Sequence, residues 1–301
     1  VDLWRTMNGW VYAGFDQTYR AIGVDFDKFY YESETYLLGK ERVEEGLAKG
    51  VFFKKSDGSV WIDLTAENLD EKLLLRADGT SVYITQDLGT AELKYQDTGC
   101  RRSVYVIGDE QNYHMQVLQA ILRRLEKPYA DGIHHLSYGM VDLPSGRMKS
   151  REGTVVDADE LVQEMIDTAR ATTEELGKID GLSAAEADEL FRTLALGALK
   201  FFLLKVEPKK RMLFNPAESI DFRGHTGPFV QYTHARIRAI GRKAAEQGLS
   251  ADAAAFAGAG AVAELNDSER ELIAQLIGYR AAVRAAAAAL APSLIAQYAY
   301  E

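Results

Sequence analysis

A single cysteine, Cys100, among 301 residues excludes an intramolecular disulfide framework and any cysteine-based zinc cluster. Long apolar runs are equally scarce. The Ala-rich stretch near the end carries Arg284 and is too short to span a bilayer. The opening VDLWRTMNGW lacks the basic start and unbroken apolar segment of a signal peptide. A soluble, cytoplasmic protein with no membrane partner is the expectation. No GxGxxG, Walker A, HExxH or EF-hand pattern occurs, and no internal repeat. Positive charge is short too: a net charge of −10 argues against indiscriminate nucleic-acid binding. Its distribution is uneven, however, with eleven Lys or Arg against three Asp or Glu from Arg192 to Lys243. That segment suits phosphates, although a solvated helical face has the same composition. Apolar residues are plentiful at 47%, enough for a full core, and the length suggests two domains.

The chain is organised around Ser103–Leu125, SVYVIGDEQNYHMQVLQAILRRL. Val104, Tyr105, Val106 and Ile107 predict a short buried strand, and Gly108 ends it. Asp109 is a suitable N-cap, followed by Met115, Leu118, Leu122 and Leu125 at helical spacing. Asp109, Glu110, Gln111, Asn112 and His114 thereby cluster where the strand ends, the edge at which open α/β sheets bind ligands. An ordinary βα unit with a polar cap has the same pattern.

Trp4, Met7, Val11, Phe15, Tyr19 and Ile22 step by three or four residues and predict an amphipathic helix with a core-facing aromatic stripe, closed by Gly23. An aromatic extended segment, Phe26–Tyr31, precedes a helix over 34–49. Asp57-Gly58 lies between strand-like runs and predicts a hairpin. Leu73, Leu74 and Leu75 predict a buried strand, Asp78-Gly79 a turn, and Thr80 the cap of a helix running to Tyr95. On that helix Tyr83 and Asp87 are four residues apart and share a face. A carboxylate beside an aromatic ring suits a guanidinium or ammonium group. A surface aspartate beside a half-buried tyrosine satisfies the same spacing.

His134 and His135 are adjacent, so on a strand they point to opposite faces and form no paired metal site; no metal-binding residue is assigned. Residues 144–153 form a glycine-bounded basic loop in which Arg147, Lys149 and Arg151 alternate with Met148 and Ser150. Such a loop can neutralise charge building on a phosphate in a transition state; an ordinary solvated loop has the same composition. From about Leu161 the pattern is helical. Thr193–Val206 is apolar nearly all round, as expected of a buried helix, and Lys209, Lys210 and Arg211 form a basic cluster. GHTG at Gly224–Gly227, followed by Pro228, opens a helix bearing Gln231, Tyr232, His234, Arg236 and Arg238. The Ala/Gly-rich surroundings of Gly258 and Gly260 suggest a connection before the last helices.

Six of these segments, in order, resemble the arginyl-tRNA synthetases, a family of class I aminoacyl-tRNA synthetases: GFDQTYRAIGVDFDKFYYES, GSVWIDL, RADGTSVYITQDLGTAELKY, YVIGDEQNYHMQVLQAILRRL, GRMKSREGTVV and GHTGPFVQYTHARIRAI. They span nearly the whole chain. The resemblance implies an α/β Rossmann-like catalytic domain with a parallel sheet over residues 1–165, then an all-α anticodon-binding bundle over 166–301, both partial. It implies ATP-dependent activation of L-arginine to arginyl-adenylate and transfer to tRNA(Arg), with Mg²⁺ accompanying ATP, by a monomer. Carried onto matching positions, Tyr83, Asp87 and Gln111 read the guanidinium. His114, Met148, Lys149 and Ser150 lie at ATP, and Arg147, Lys149 and Arg151 act on its phosphates. Lys209, Lys210, Arg211, Tyr232, His234 and Arg236 face tRNA.

Departures accompany the resemblance. Gln86 stands where many members carry arginine, and Lys149-Ser150 replaces the usual order of the signature loop; Lys149 is the cation assigned to the phosphates. None of the five histidines, 114, 134, 135, 225 and 234, belongs to an HIGH-type sequence, the family's N-terminal tRNA-binding domain has no counterpart, and the helical pattern stops at Glu301 without a cap. The expectation is a fragment that holds only part of the ATP site and does not catalyse arginylation alone. Two other readings fit parts of the pattern: a non-catalytic RNA-binding helical module, and another class I synthetase or nucleotidyl transferase.

Overall fold

Helix α1 (Asp2–Ile22) forms where its periodicity predicts and ends on Gly23, whose left-handed φ of 71° directs its N–H to the Arg20 carbonyl. The predicted core stripe is not core. The helix buries no residue, and Trp4, Met7, Val11 and Phe15 are exposed, because only its C-terminal end reaches the packed interior, where Ile22 joins a hydrophobic cluster. The computed structural model describes residues 1–35, 37–142, 157–177, 179, 181–249 and 264–301. These form two compact units, Val24–Met140 and Val1–Gly23 with Val141–Glu301.

In the unit Val24–Met140, α2 (Glu32–Thr35) and α3 (Leu38–Ala48) replace the single helix predicted over 34–49. The hairpin around Asp57-Gly58 is present. Strands β1 (Phe53–Lys54), β2 (Val60–Ile62) and β3 (Lys72–Leu75) pair antiparallel, and Asp57 accepts the Ser59 N–H at 3.0 Å. Of the predicted buried leucine strand only Leu74 is fully enclosed; Leu73 and Leu75 are half-buried, with Leu75 packed against the core.

Helix α4 (Tyr83–Thr98) begins after Val82, not after Thr80. Thr80 is spent on the preceding turn, where its N–H and hydroxyl both donate to Asp78 at 2.9 and 2.7 Å. Helices α3 and α4 approach through glycine: a Cβ on Gly89 would lie 2.6 Å from the Gly39 nitrogen, and one on Gly39 would overlap the Thr85 carbonyl.

Strand β4 (Ser103–Gly108) runs parallel to β5 (Ile133–Tyr138) over six residue pairs, joined by α5 (Asn112–Arg124). This is a βα unit with a parallel crossover. Its strand is covered on one side only: Tyr105 and Ile107 pack on the core while Val104 and Val106 are exposed. Asp109 does not cap α5. It opens a 3-10 turn, Asp109–Gln111, and Gln111 occupies the cap position without a side-chain bond. One core joins α5, through Met115, Leu118, Ile121 and Leu122, to Leu74, Ile84 and Leu88.

In the other unit, β6 (Val141–Asp142) and β7 (Met212–Leu213) form a second parallel pair. Helices α6 (Ala158–Glu175), α7 (Ala184–Leu204), α8 (Pro216–Ser219) and α9 (Gly227–Glu246) follow, then α10 (Asp267–Ala289) and α11 (Ser293–Tyr300). Ser183 and Glu186 form a capping box at α7. Burial on α7 is one-sided, through Phe191, Leu194, Ala195, Ala198 and Leu199, and Leu204 is exposed. GHTG has a packing reason: Thr226 caps α9, and a Cβ on Gly227 would overlap the carbonyl of Gly197 in α7. Among the described residues no helix is long and apolar enough to cross a membrane.

Candidate active site

The start of α5 and the first turns of α4 bring titratable side chains together beside the C-terminal end of β4. Strand β4 runs straight into the 3-10 turn and then α5, so Gln111 and His114 stand about one helical turn apart at the entry to α5. The buried Met115, Val117 and Leu118 root that turn in the core.

The decisive contact links two helices. His114 Nε2 lies 2.6 Å from Asp87 Oδ2, and the side chains are 28% and 42% exposed. A carboxylate only accepts, so Nε2 is the donor. Tyr83, one turn before Asp87 at the first position of α4, is 78% exposed and presents its phenol to solvent. Gln111 is likewise exposed. The arrangement is therefore an open carboxylate held from one side by an imidazole and accompanied by a phenol and a carboxamide. It can receive a cation that also donates hydrogen bonds.

Two residues that the sequence reading missed sit behind this group. The Lys94 ammonium lies 4.4 Å from the Tyr105 ring centroid. Burial lowers the Lys94 pKa, partly offset by the Asp87 carboxylate. Burial, reinforced by that carboxylate, pushes the Tyr105 phenol up to about 12. Lys94 is two turns beyond Asp87 on the same face of α4; that spacing was the available signal. Nearby, Tyr113 donates to Asp70 at 2.6 Å, and Lys72 lies over the Tyr113 ring. His135 has a structural use, its Nε2 donating to the Ile107 carbonyl at 3.0 Å, while His134 faces outward.

A separate ion cluster ties α3, α4 and the end of α5. Lys127 lies 3.0 Å from both Glu45 and Glu92, and Arg42 lies 2.7 Å from Glu45. Burial raises the Glu92 carboxyl, but hydrogen bonds from Lys127 and Tyr129 outweigh it and leave the group below its ordinary value. Glu45 is depressed similarly: burial is outweighed by Lys127 and Lys49.

The basic loop residues Arg147, Met148, Lys149, Ser150 and Arg151 lie outside the described residues. In the basic helical segment, Arg211 pairs with Asp142 at 3.3 Å and Lys210 with Glu207 at 3.5 Å. The Arg236 guanidinium lies 5.9 Å from the Tyr232 ring, and Tyr232 and His234 line a cavity of about 630 Å³ with Leu190, Leu194, Phe222 and Val230. Tyr83, Asp87, Gln111 and His114 thus belong to the unit Val24–Met140, and Lys209, Lys210, Arg211, Tyr232, His234 and Arg236 to the other. Among the described residues no group of three or more His, Cys, Asp or Glu side chains is placed to hold a metal ion.

Comparison with known proteins adds independent findings. The family model described as tRNA synthetases class I (R), catalytic domain, matches residues 2–215, and that of the DALR anticodon binding domain matches 230–301. The arginine–tRNA ligase of Amoebophilus asiaticus is 60% identical over 305 residues, covering 100% of this chain and 50% of that protein. The arginine–tRNA ligase of Bacteroides thetaiotaomicron is 58% identical over 99% of this chain and 49% of its own length. The chain spans about half the length of the curated relatives it matches. Among solved structures, Thermus thermophilus arginyl-tRNA synthetase superposes with a TM-score of 0.76 at 25% identity, covering 94% of this chain and 52% of that one. The Plasmodium falciparum arginyl-tRNA synthetase superposes with a TM-score of 0.80 at 16% identity over 99% of this chain and 49% of its own, a likeness of fold alone.

Proposed function

The chain belongs to the arginyl-tRNA synthetase family, with a class I catalytic region followed by a helical DALR region, and from that premise we propose that it carries the arginine-reading part of an arginine–tRNA ligase. In the proposed reaction a carboxylate oxygen of arginine attacks the α-phosphorus of ATP and pyrophosphate leaves; a terminal hydroxyl of tRNA(Arg) then attacks the acyl carbon of the arginyl-adenylate and AMP leaves. Mg²⁺ enters as part of the ATP substrate. The proposal places this in the cytoplasm.

The observation that carries the proposal is the Asp87 carboxylate, held by His114 at 2.6 Å one turn from the exposed Tyr83. A guanidinium needs an anionic acceptor, and a ring beside it favours a flat cation. Tyr83, Asp87 and Gln111 are assigned to the substrate side chain. His114 joins them through Asp87 and borders ATP. Arg147, Lys149 and Arg151 are assigned to the phosphates, with Met148 and Ser150 beside the nucleotide. Lys209, Lys210, Arg211, Tyr232, His234 and Arg236 are assigned to tRNA, on the strength of a basic segment in a chain of opposite net charge.

Removing the charge of Asp87 tests the assignment. Asp87→Asn is expected to weaken arginine binding about 100-fold in equilibrium dialysis, the scale for leaving a bound cation unpaired, with the far-UV spectrum unchanged. Arginine affinity equal to that of the parent chain would overturn it.

A further inference from the structure

The way Asp87 is held says more than that it is available. On an exposed helix face an aspartate samples several rotamers, and each must be lost again when a ligand binds. Here one oxygen is anchored. His114 Nε2 reaches Asp87 Oδ2 at 2.6 Å, the short end of hydrogen bonds to a charged acceptor. The imidazole is itself a fixed point: the next residue, Met115, and then Val117 and Leu118 are buried, so the helix bearing it cannot shift without disturbing the core. Among the described residues Asp87 Oδ1 accepts no hydrogen bond.

From this division of the carboxylate we infer that His114 is a positioning residue for the guanidinium, fixing Oδ2 so that Oδ1 is offered to the ligand. The inference rests on the arginine reading given above. A free carboxylate would meet a guanidinium as a two-oxygen fork. With one lone pair of Oδ2 engaged by His114, Oδ1 is the oxygen left fully open to the ligand, and the Tyr83 hydroxyl and the Gln111 carbonyl supply further acceptors. His114 also decides which internal group holds Asp87 before substrate arrives. The Lys94 ammonium, two turns along the same helix, feels the field of this carboxylate, and helical side chains lean toward the N-terminus, here toward Asp87. Anchoring to a rigid imidazole keeps the carboxylate from being drawn to that ammonium.

The experiment compares His114→Ala and His114→Gln with the parent 301-residue chain by calorimetric titration with arginine. A glutamine retains an N–H donor near the position of Nε2, whereas alanine retains none. His114→Ala is expected to weaken binding about tenfold and His114→Gln by less than about threefold, the scale of one hydrogen bond to a charged group, with thermal midpoints alike. Equal or tighter binding by His114→Ala overturns the inference while leaving the arginine reading in place; tighter binding would show the imidazole to be a plug. A glutamine variant as weak as the alanine variant also overturns it. If the parent chain binds no arginine, the reading itself fails and this role with it. The pairing is then judged separately from the nitrogen shifts of the His114 ring, which report an Nε2–H tautomer in the parent and its loss in Asp87→Ala.

Discussion

Helices α5 and α1 are patterned alike, with apolar residues recurring every three or four positions and polar residues between them. Their fates differ. Helix α5 buries Met115, Val117, Leu118, Ala120, Ile121 and Leu122, and helix α1 buries nothing, leaving Trp10 70% exposed. Periodicity therefore specifies which face of a helix is apolar, and the neighbours decide whether that face becomes core. The consequence for function is direct. His114 is precise because the rest of its helix is immobilised by packing, so this part of the site is built on a helix that is covered.

The largest expected effect that would break this contrast is a cavity in α5. Leu118 is fully buried, and Leu118→Ala should cost about 2–5 kcal/mol in urea unfolding, whereas Trp10→Ala should fall within about 0.5 kcal/mol. Equal losses would mean that α1 is packed after all. A glycine pair sharpens the comparison at a smaller scale. Gly39→Ala forces a Cβ onto the Thr85 carbonyl in the α3–α4 contact and should cost about 1–3 kcal/mol. Gly14→Ala on α1 meets nothing within 4 Å and should stabilise by about 0.5–1 kcal/mol through helix propensity. If both substitutions destabilise, α1 is hemmed in by neighbours.

The smallest effect is electrostatic. The Glu92 and Glu45 carboxyls sit below their ordinary value of 4.5 in the folded state. Their contribution is therefore complete above that value and is lost as pH falls through the lower, folded value. Glu92→Gln should lower the thermal midpoint near pH 7 and converge on the parent as the pH falls below the depressed value of the folded carboxyl. A gap that stays constant with pH would mean that packing, not charge, is what Glu92 supplies.

Much of this was legible in the chain. The β-branched run at Val104–Ile107, the stop at Gly108 and the leucine spacing after it lead to β4 and α5, and Asp57-Gly58 leads to a hairpin, since turn chemistry and periodicity act locally. Helix starts were less legible. Asp109 and Thr80 are both good caps by residue type, but one opens a 3-10 turn and the other bonds back to Asp78. Local side-chain bonds of this kind compete with capping, and composition does not reveal which wins. Within the site, Tyr83 with Asp87 was visible because both lie on one helix. The bond from His114 to Asp87 was not, because 27 residues of chain separate them and only the packing of two helices brings them together. Family resemblance supplied the roles of Gln111 and His114, which no spacing carries.

The central claim is that Tyr83, Asp87 and Gln111 form a pocket for a guanidinium within these 301 residues. The most direct test is calorimetric titration of the chain with arginine, lysine and citrulline in parallel. The account predicts saturable heat with arginine, weak heat with lysine, whose ammonium lacks the planar fork, and none with citrulline, which has the shape without the charge. Citrulline binding as tightly as arginine, or none of the three binding, would contradict it.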